Sequence, residues 1–419
     1  MNVLTQQATS IVDPTPGTTA DTKVAVIELH NLGPVKLFDT AGLDESLGLG
    51  FKKHERAMAL LEEIDIAVLV IDPIQALQSQ QLHVEDKVAT TCRRLGRPLV
   101  LVCNVQATQT DSVASGSTLE QALTYCKSVL TAPSSTPTLV TNLVQQTPLQ
   151  ELVDVLHKAL PTPENKVELL PFVGGTAPVL LHIPLDNESP SGRLLRPQEM
   201  ALEYLLRLRV PVGVVRVDLK LARSNNSAIA QRERDRFFGF FNNLGGDQGV
   251  QLVLTDSQAI DIMHAWLPHD VPLTTFSVMM INQTSGGNLP LFQQGATALD
   301  GLQSGDKILI AEACNHDRIA EDIGTVQIPQ KLNHHCPGVQ IEHCLGREFP
   351  GPDELRSFKL AIHCGGCMIS KQQASARVAR LAEAGIPVTN YGMALAWFQG
   401  ADALKRVLAP WVPDTRGTR

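Results

Sequence analysis

Aromatic side chains are scarce in this chain, with 12 Phe, 3 Tyr and 3 Trp among 419 residues. Little is left for stacking nucleobases. Positive charge is short as well: 35 Lys and Arg stand against 43 Asp and Glu, a net charge of −8, which removes the electrostatic basis of non-specific nucleic-acid binding. No apolar run approaches the ~18 residues that a membrane helix needs. The first basic residue is Lys23, so neither a secretory n-region nor an Arg-rich transit peptide is found. These absences predict a cytoplasmic protein that engages neither nucleic acid nor membrane. What remains is ordinary globular material, 43% apolar and 19% charged, long enough for about two to three domains. Eight cysteines are present, and Cys314, Cys336, Cys344, Cys364 and Cys367 crowd into the last quarter. In a reducing compartment such a cluster points away from disulfides and toward metal or redox chemistry.

Apolar runs alternate with helical patterns, which predicts an α/β fold with parallel sheets. Val35 to Phe38, running into Asp39-Thr40-Ala41-Gly42, and Ile64 to Ile71, ending at Asp72, read as buried parallel strands. Pro98 to Cys103 and Thr138 to Val140 continue the series, with a helix over Leu119 to Leu130. Thr147-Pro148-Leu149-Gln150 reads as a helix start, and Pro161 to Asn165 as a linker. The first domain is therefore placed at residues 1–165. A second, 174–266, holds strands Val179 to Ile183, Val212 to Val217 and Gln251 to Leu254 and shows no catalytic constellation, so it reads as an assembly module. A third, 267–419, holds strands Lys307 to Ala311, Phe358 to Ile362 and Ile386 to Thr389, with a helix from Lys371 to Ala384 closed by Gly385.

The third domain carries the chemistry. Its pattern is Cys314-x-His316, a gap of 46, then His363-Cys364-Gly365-Gly366-Cys367. Two of its strands run out at these cysteine groups, and ligands of open α/β sheets sit at the carboxyl ends of strands. Three thiolates hold three irons of a cubane and leave the fourth to imidazole or water. A Cys3His zinc site closed by His316 is the competing reading, although a domain with its own strands and helices has less need of structural zinc. Redox sensing through Cys364-x-x-Cys367 is a third. Cys336 and Cys344, in a region read as an irregular loop, fit no ligand pair, and His334 and His335 read as solvated.

At the front of the chain, Pro16-Gly17-Thr18-Thr19, a strand, and then Asp39-Thr40-Ala41-Gly42 resemble switch I and switch II of a P-loop GTPase. In that architecture a Thr such as Thr18 or Thr19 and the Asp at 39 serve Mg²⁺, and the Gly at 42 offers its N–H to the γ-phosphate. No G-x-x-x-x-G-K-[ST] occurs in the chain. Met1 to Gln7 read as the middle of the helix that follows that loop, so the expectation is an N-terminally truncated, P-loop-GTPase-like sheet that exposes apolar strand faces. The guanine-reading N-K-x-D is replaced by Asn104-Val105-Gln106-Ala107, which supplies no carboxylate for the base.

Taken together, these segments resemble the HydF family of FeFe-hydrogenase maturation factors over nearly the whole length. The cluster pattern matches at Cys314, His316, His363, Cys364 and Cys367. Further matches are Gly192-Arg193-Leu194 to Pro197-Gln198, Thr255-Asp256-Ser257-Gln258, Gly305-Asp306, the run to Met368, and Thr389-Asn390-Tyr391-Gly392. The resemblance implies a GTPase-like domain followed by two smaller α/β domains, for dimerisation and cluster binding. It implies a 4Fe-4S cluster on Cys314, Cys364 and Cys367, with His316 a candidate exchangeable ligand, and GTP with Mg on the first domain. A homodimeric scaffold is implied, one that accepts a diiron precursor from the radical-SAM maturases HydE and HydG and delivers it to the apo-hydrogenase. Many members carry a second His where this chain has Asp317. The family hydrolyses GTP; a chain without the phosphate loop is expected to be a degenerate GTP-binding module, and the alternative is a GTPase switch enzyme with structural zinc.

Overall fold

The computed structural model describes residues 1–5, 23–29, 33–40, 57–105, 116–133, 135–143, 149–160, 167–184, 194–312, 322–346, 349–366 and 369–412. The chain divides into two compact units, Met1–Asn165 and Lys166–Arg419. Among the described residues no helix is long and apolar enough to cross a membrane.

In the first unit, β1 (Lys23–Leu29) and β2 (Gly33–Asp39) pair antiparallel, with Val24 opposite Phe38 and Ile27 opposite Val35. The expectation of a buried parallel strand at Val35 to Phe38 is thus corrected. The short link from Leu29 to Gly33 leaves no room for the crossover that a parallel pair requires. β3 (Ala67–Ile71), β4 (Leu99–Asn104) and β5 (Thr138–Thr141) form a separate parallel sheet in that order. Alternation along β4 decides its two faces. Leu99 and Leu101 join the core beneath helices α1 (Pro73–Ser79), α2 (His83–Arg94) and α3 (Gly116–Val129). Val100 and Val102 pack under Leu152 and Leu156 of α4 (Leu149–Ala159). Their neighbours on β3, Val68 and Val70, stay exposed, as do Val24 and Val26 on β1. Apolar side chains are therefore exposed on both of these strands.

Cys92, Cys103 and Cys126 are core residues of this unit. Burial pushes the Cys92 and Cys103 thiols up to about 11, so they remain protonated and inert.

The second unit contains two four-stranded parallel sheets. One runs in the order β7 (Val212–Val215), β6 (Val179–His182), β8 (Leu252–Thr255), β9 (Leu273–Thr275); the other in the order β11 (Gln340–Leu345), β10 (Lys307–Glu312), β12 (Leu360–His363), β13 (Val388–Asn390). Both follow the same plan: second strand, first, third, fourth. In this plan the chain reverses direction between the first and third strands, and a crevice opens at their carboxyl ends. Helices α5 (Arg196–Arg207), α6 (Ser227–Gly245), α7 (Ile260–Trp266) and α8 (Phe276–Thr284) accompany the first sheet. The second is accompanied by α9 (Leu289–Thr297), α10 (Ile328–His335), α11 (Lys371–Glu383), α12 (Tyr391–Trp397) and α13 (Ala401–Leu408). One apolar core joins residues of both modules, among them Leu180, Phe237 and Val253 with Ile308, Ile310 and Leu360.

The expected strands of this unit are present within a few residues of their predicted limits, and Gly385 has the positive φ of +73° that a helix-ending glycine adopts. Cys344 is the exception. It lies on the edge strand β11, not in an irregular loop, in register with Ala311. An edge strand of mixed polarity gives little periodic signal. Cys336 follows α10 directly as its C-cap, and the exposed His335 packs edge-on against Trp397 at 4.5 Å.

His182 closes β6 and is completely buried. Its Nδ1 lies 2.8 Å from Thr255 Oγ1, and that hydroxyl reaches on to the Asp256 carbonyl, so the ring donates and the hydroxyl accepts. Burial pulls the imidazole down to about 3, against the weaker opposing influence of Glu233. A folded value below the unfolded ~6.5 means that stability is intact above that pH and is lost as pH falls toward the folded value. Urea denaturation should therefore show a loss of about 2 kcal/mol between pH 7 and pH 5 from this ring alone. His182→Gln should flatten that slope, and an unchanged slope would assign the acid sensitivity to other groups.

Candidate functional site

Of the residues expected to hold a metal, Cys314, His316 and Cys367 lie outside the described residues, whereas His363 and Cys364 are described. Among the described residues alone, no group of three or more metal-ligating side chains is gathered. The strands that lead to the expected site are well defined. β10 runs through Glu312 toward Cys314, and β12 beside it ends at His363 and turns into Cys364. These are the first and third strands of their sheet, so both end at its crevice.

Cys364 is 5% exposed. Its backbone N–H donates to Ala311 O at 2.9 Å, which ties the loop to β10. The Gly366 N–H points at Cys364 Sγ, 3.4 Å away. Gly366 reaches this position with φ of +71°, a region that side chains disfavour. This contact gives the sulfur a backbone hydrogen-bond donor.

His363 is wholly buried. Its Nδ1 sits 2.7 Å from the Cys364 carbonyl, which can only accept, so Nδ1 carries the proton. Nε2 then presents a lone pair that is buried and meets no hydrogen-bond partner among the described residues. A metal-ligating histidine uses its ring in this way, one nitrogen donating to a carbonyl and the other free to coordinate. The donor set thus fits a metal centre.

Neighbouring residues brace this loop. Asn390 lies beside His363 in register; its Nδ2 donates to Ser277 O and Oγ, both at 2.9 Å, and its Oδ1 accepts from Met393 N to cap α12. A Cβ on Gly392 would lie 2.6 Å from Thr275 Oγ1 and 3.1 Å from Ser257 Oγ, so Thr275, Ser257 and Ser277 pack directly on that glycine. On the other side, Ile323–Gln327 form a π turn capped by the buried Asp322. A Cβ on Gly324 would overlap the Tyr391 hydroxyl and approach Glu312 Oε2 to 2.5 Å. Sequence reasoning marked Thr389 to Gly392 and Thr255 to Gln258 without giving them a role, and it passed over Ser277, Glu312 and the π turn. A lone Ser or Gly in a loop has no period to reveal it.

Of the expected nucleotide contacts, Thr18, Thr19 and Gly42 lie outside the described residues. Asp39 ends β2, paired in register with Lys23. Asn104 ends β4, and its Oδ1 accepts from Leu143 N at 2.9 Å, linking the loops that follow β4 and β5.

Three family models match the chain in order: a 50S ribosome-binding GTPase over residues 1–105, the hydrogen maturase F dimerization domain over 242–284, and the hydrogen maturase F tetramerization domain over 290–410. The chain is 33% identical over 190 residues to the mitochondrial 5-taurinomethyluridine-[tRNA] synthase subunit GTPB3 of Mus musculus, covering 39% of this chain and 38% of that protein. It is 32% identical over 117 residues to GTPase Der of Xanthomonas campestris pv. campestris (strain B100), covering 27% and 24%. It thus spans well under half the length of these curated relatives. A solved structure of Era in complex with MgGDPNP and a 16S ribosomal RNA segment aligns at 18% identity with a TM-score of 0.31, covering 51% of this chain and 86% of that one. The parallel sheets establish the mixed α/β class by themselves. The three models and their order support a hydrogenase maturase of the hydrogen maturase F type.

Proposed function

We propose that this protein is a maturation scaffold for FeFe-hydrogenase. Cys314, Cys364 and Cys367 would hold a 4Fe-4S cluster, with an imidazole from His316 or His363 at the remaining iron. The observation that carries this reading is the Cys364 loop: a buried thiol with a backbone N–H on its sulfur, preceded by a histidine whose buried Nε2 has no hydrogen-bond partner among the described residues. When bound, the cluster supplies an iron with one exchangeable coordination position. The chain's own part would be to hydrogen-bond the Cys364 sulfur through the Gly366 N–H, to fix the His363 tautomer through the Cys364 carbonyl, and to exclude water by burial. The cargo is a diiron precursor, received from radical-SAM maturases of the HydE and HydG type and passed to the apo-hydrogenase.

Oligomerisation belongs to this reading. The family models name dimerization and tetramerization segments. β7 lies at the edge of its sheet with Val214 exposed, near the exposed Leu206 and Leu208 at the end of α5, a surface that a second copy would cover. The first unit is assigned guanine nucleotide and Mg, with Thr18, Thr19, Asp39 and Gly42 as contacts. Ala107 gives the base no carboxylate, so selectivity for guanine should be weak.

Metal analysis of the anaerobically reconstituted protein tests the proposal. About four iron and four sulfide per chain are expected, with an EPR signal on reduction. Stoichiometric zinc without iron would replace the scaffold reading with a structural Cys3His site.

A further inference from the structure

A cavity of about 310 Å³ lies between the two modules of the second unit, at the carboxyl ends of β7 and β8. Its first wall is Arg223, from the segment after β7, with Ser257, Gln258 and Asp261 from the segment after β8. The opposite wall is Gln327 of the π turn, Gln330 and Lys331 of α10, and Gln399 beyond α12. We propose that this cavity binds a small anion bearing carboxylate or phosphate groups.

Charge supports an anion. Arg223 donates from Nε and Nη2 to the two Asp261 carboxylate oxygens, each at 2.9 Å, and from Nη2 to the Gln258 carbonyl at 2.5 Å. That pair is neutralised within the wall. Lys331 makes no ion pair among the described residues, so the cavity carries a net positive charge. The glutamine amides add donors around it.

An unanswered polar group points the same way. Ser257 is 4% exposed, and its hydroxyl has no hydrogen-bond partner among the described residues. A buried hydroxyl left in this state is costly, and an accepting ligand atom relieves that cost. The volume matches the lower end of small-ligand sites, room for a molecule of the size of pyrophosphate or citrate. The place is also the one where parallel α/β sheets bind ligands.

The cavity lies near the described part of the Cys364 loop and shares none of its residues. Ser257 and Ser277 both pack on Gly392, and a Cβ on Gly365 would lie 3.8 Å from Ser277. On the far side, Gln327 ends the π turn that follows the segment carrying Cys314. An anion seated there would lie one layer of side chains behind the proposed metal centre.

Isothermal titration of the intact, metal-free chain with pyrophosphate and with citrate tests the site. At least one of the two should bind saturably at about one per chain. Lys331→Met should weaken that binding roughly tenfold or more, and Ser257→Ala several-fold, while Cys364→Ser leaves it unchanged. The stronger of the two probes identifies the chemistry, phosphate or carboxylate. Absence of saturable binding by both, or wild-type binding in the Lys331→Met protein, overturns the proposal. Either result leaves the metal reading untouched, because iron content is measured separately.

Discussion

Cys364→Ser protein, reconstituted anaerobically, is expected to retain less than roughly a quarter of the wild-type iron. A serine hydroxyl at this position has no thiolate character, and the Gly366 N–H then meets an oxygen that stays protonated. The side chain is buried, so the change in size is small and the fold should survive. Cys336→Ser is the matched control. Its sulfur sits 3.5 Å from the Leu302 carbonyl, in a position to donate to it, and its place after α10 sets it apart from the crevice. Its iron content should equal that of the wild type. Equal losses in both variants would show that iron is held non-specifically.

The largest change in stability is expected from Gly295→Ala. Gly295 lies in α9, where the helix crosses β13, and a Cβ there would overlap the Val388 carbonyl. Two effects oppose each other. Alanine favours the helix by about 1 kcal/mol, but an added methyl with backbone in its way forces the helix off the sheet at a cost of about 3 kcal/mol. The clash wins, because a carbonyl in a paired strand cannot rotate aside as a side chain can. Tm should fall by roughly 4–8 °C for a unit of this size after the helical gain is deducted. Gly239→Ala, on the open side of α6 with nothing near its Cβ, should instead raise stability slightly. If the two variants melt alike, α9 has freedom to move that its packing does not indicate.

The elements that sequence revealed are those with strong local patterns. β4, β6, β8, β10 and β12 are short apolar runs ending in polar or sulfur-bearing residues, and each lies within two or three residues of its predicted limits. β9 and β11 escaped notice for different reasons: Leu273–Thr275 is too short to show a period, and Gln340–Leu345 is an edge strand with polar residues on both faces. The antiparallel pairing of β2 was missed because an apolar strand reads the same in either direction. At the candidate site, Cys364 and His363 were visible as residue types in a rare spacing. Their surroundings were not, since the Asn390 to Ser277 link spans 113 positions and depends wholly on tertiary packing. His182 was overlooked for a related reason: one histidine at the end of an apolar strand carries no signal until its partner Thr255, 73 positions away, is placed beside it.

Because one apolar core joins both four-stranded sheets, melting of either would strip apolar cover from the other. Release of the proposed cluster by unfolding would disturb the neighbouring module in the same event. On the proposed reading, cargo transfer would proceed by ligand exchange in an intact body, and a fragment ending midway between the sheets should be an aggregating polypeptide.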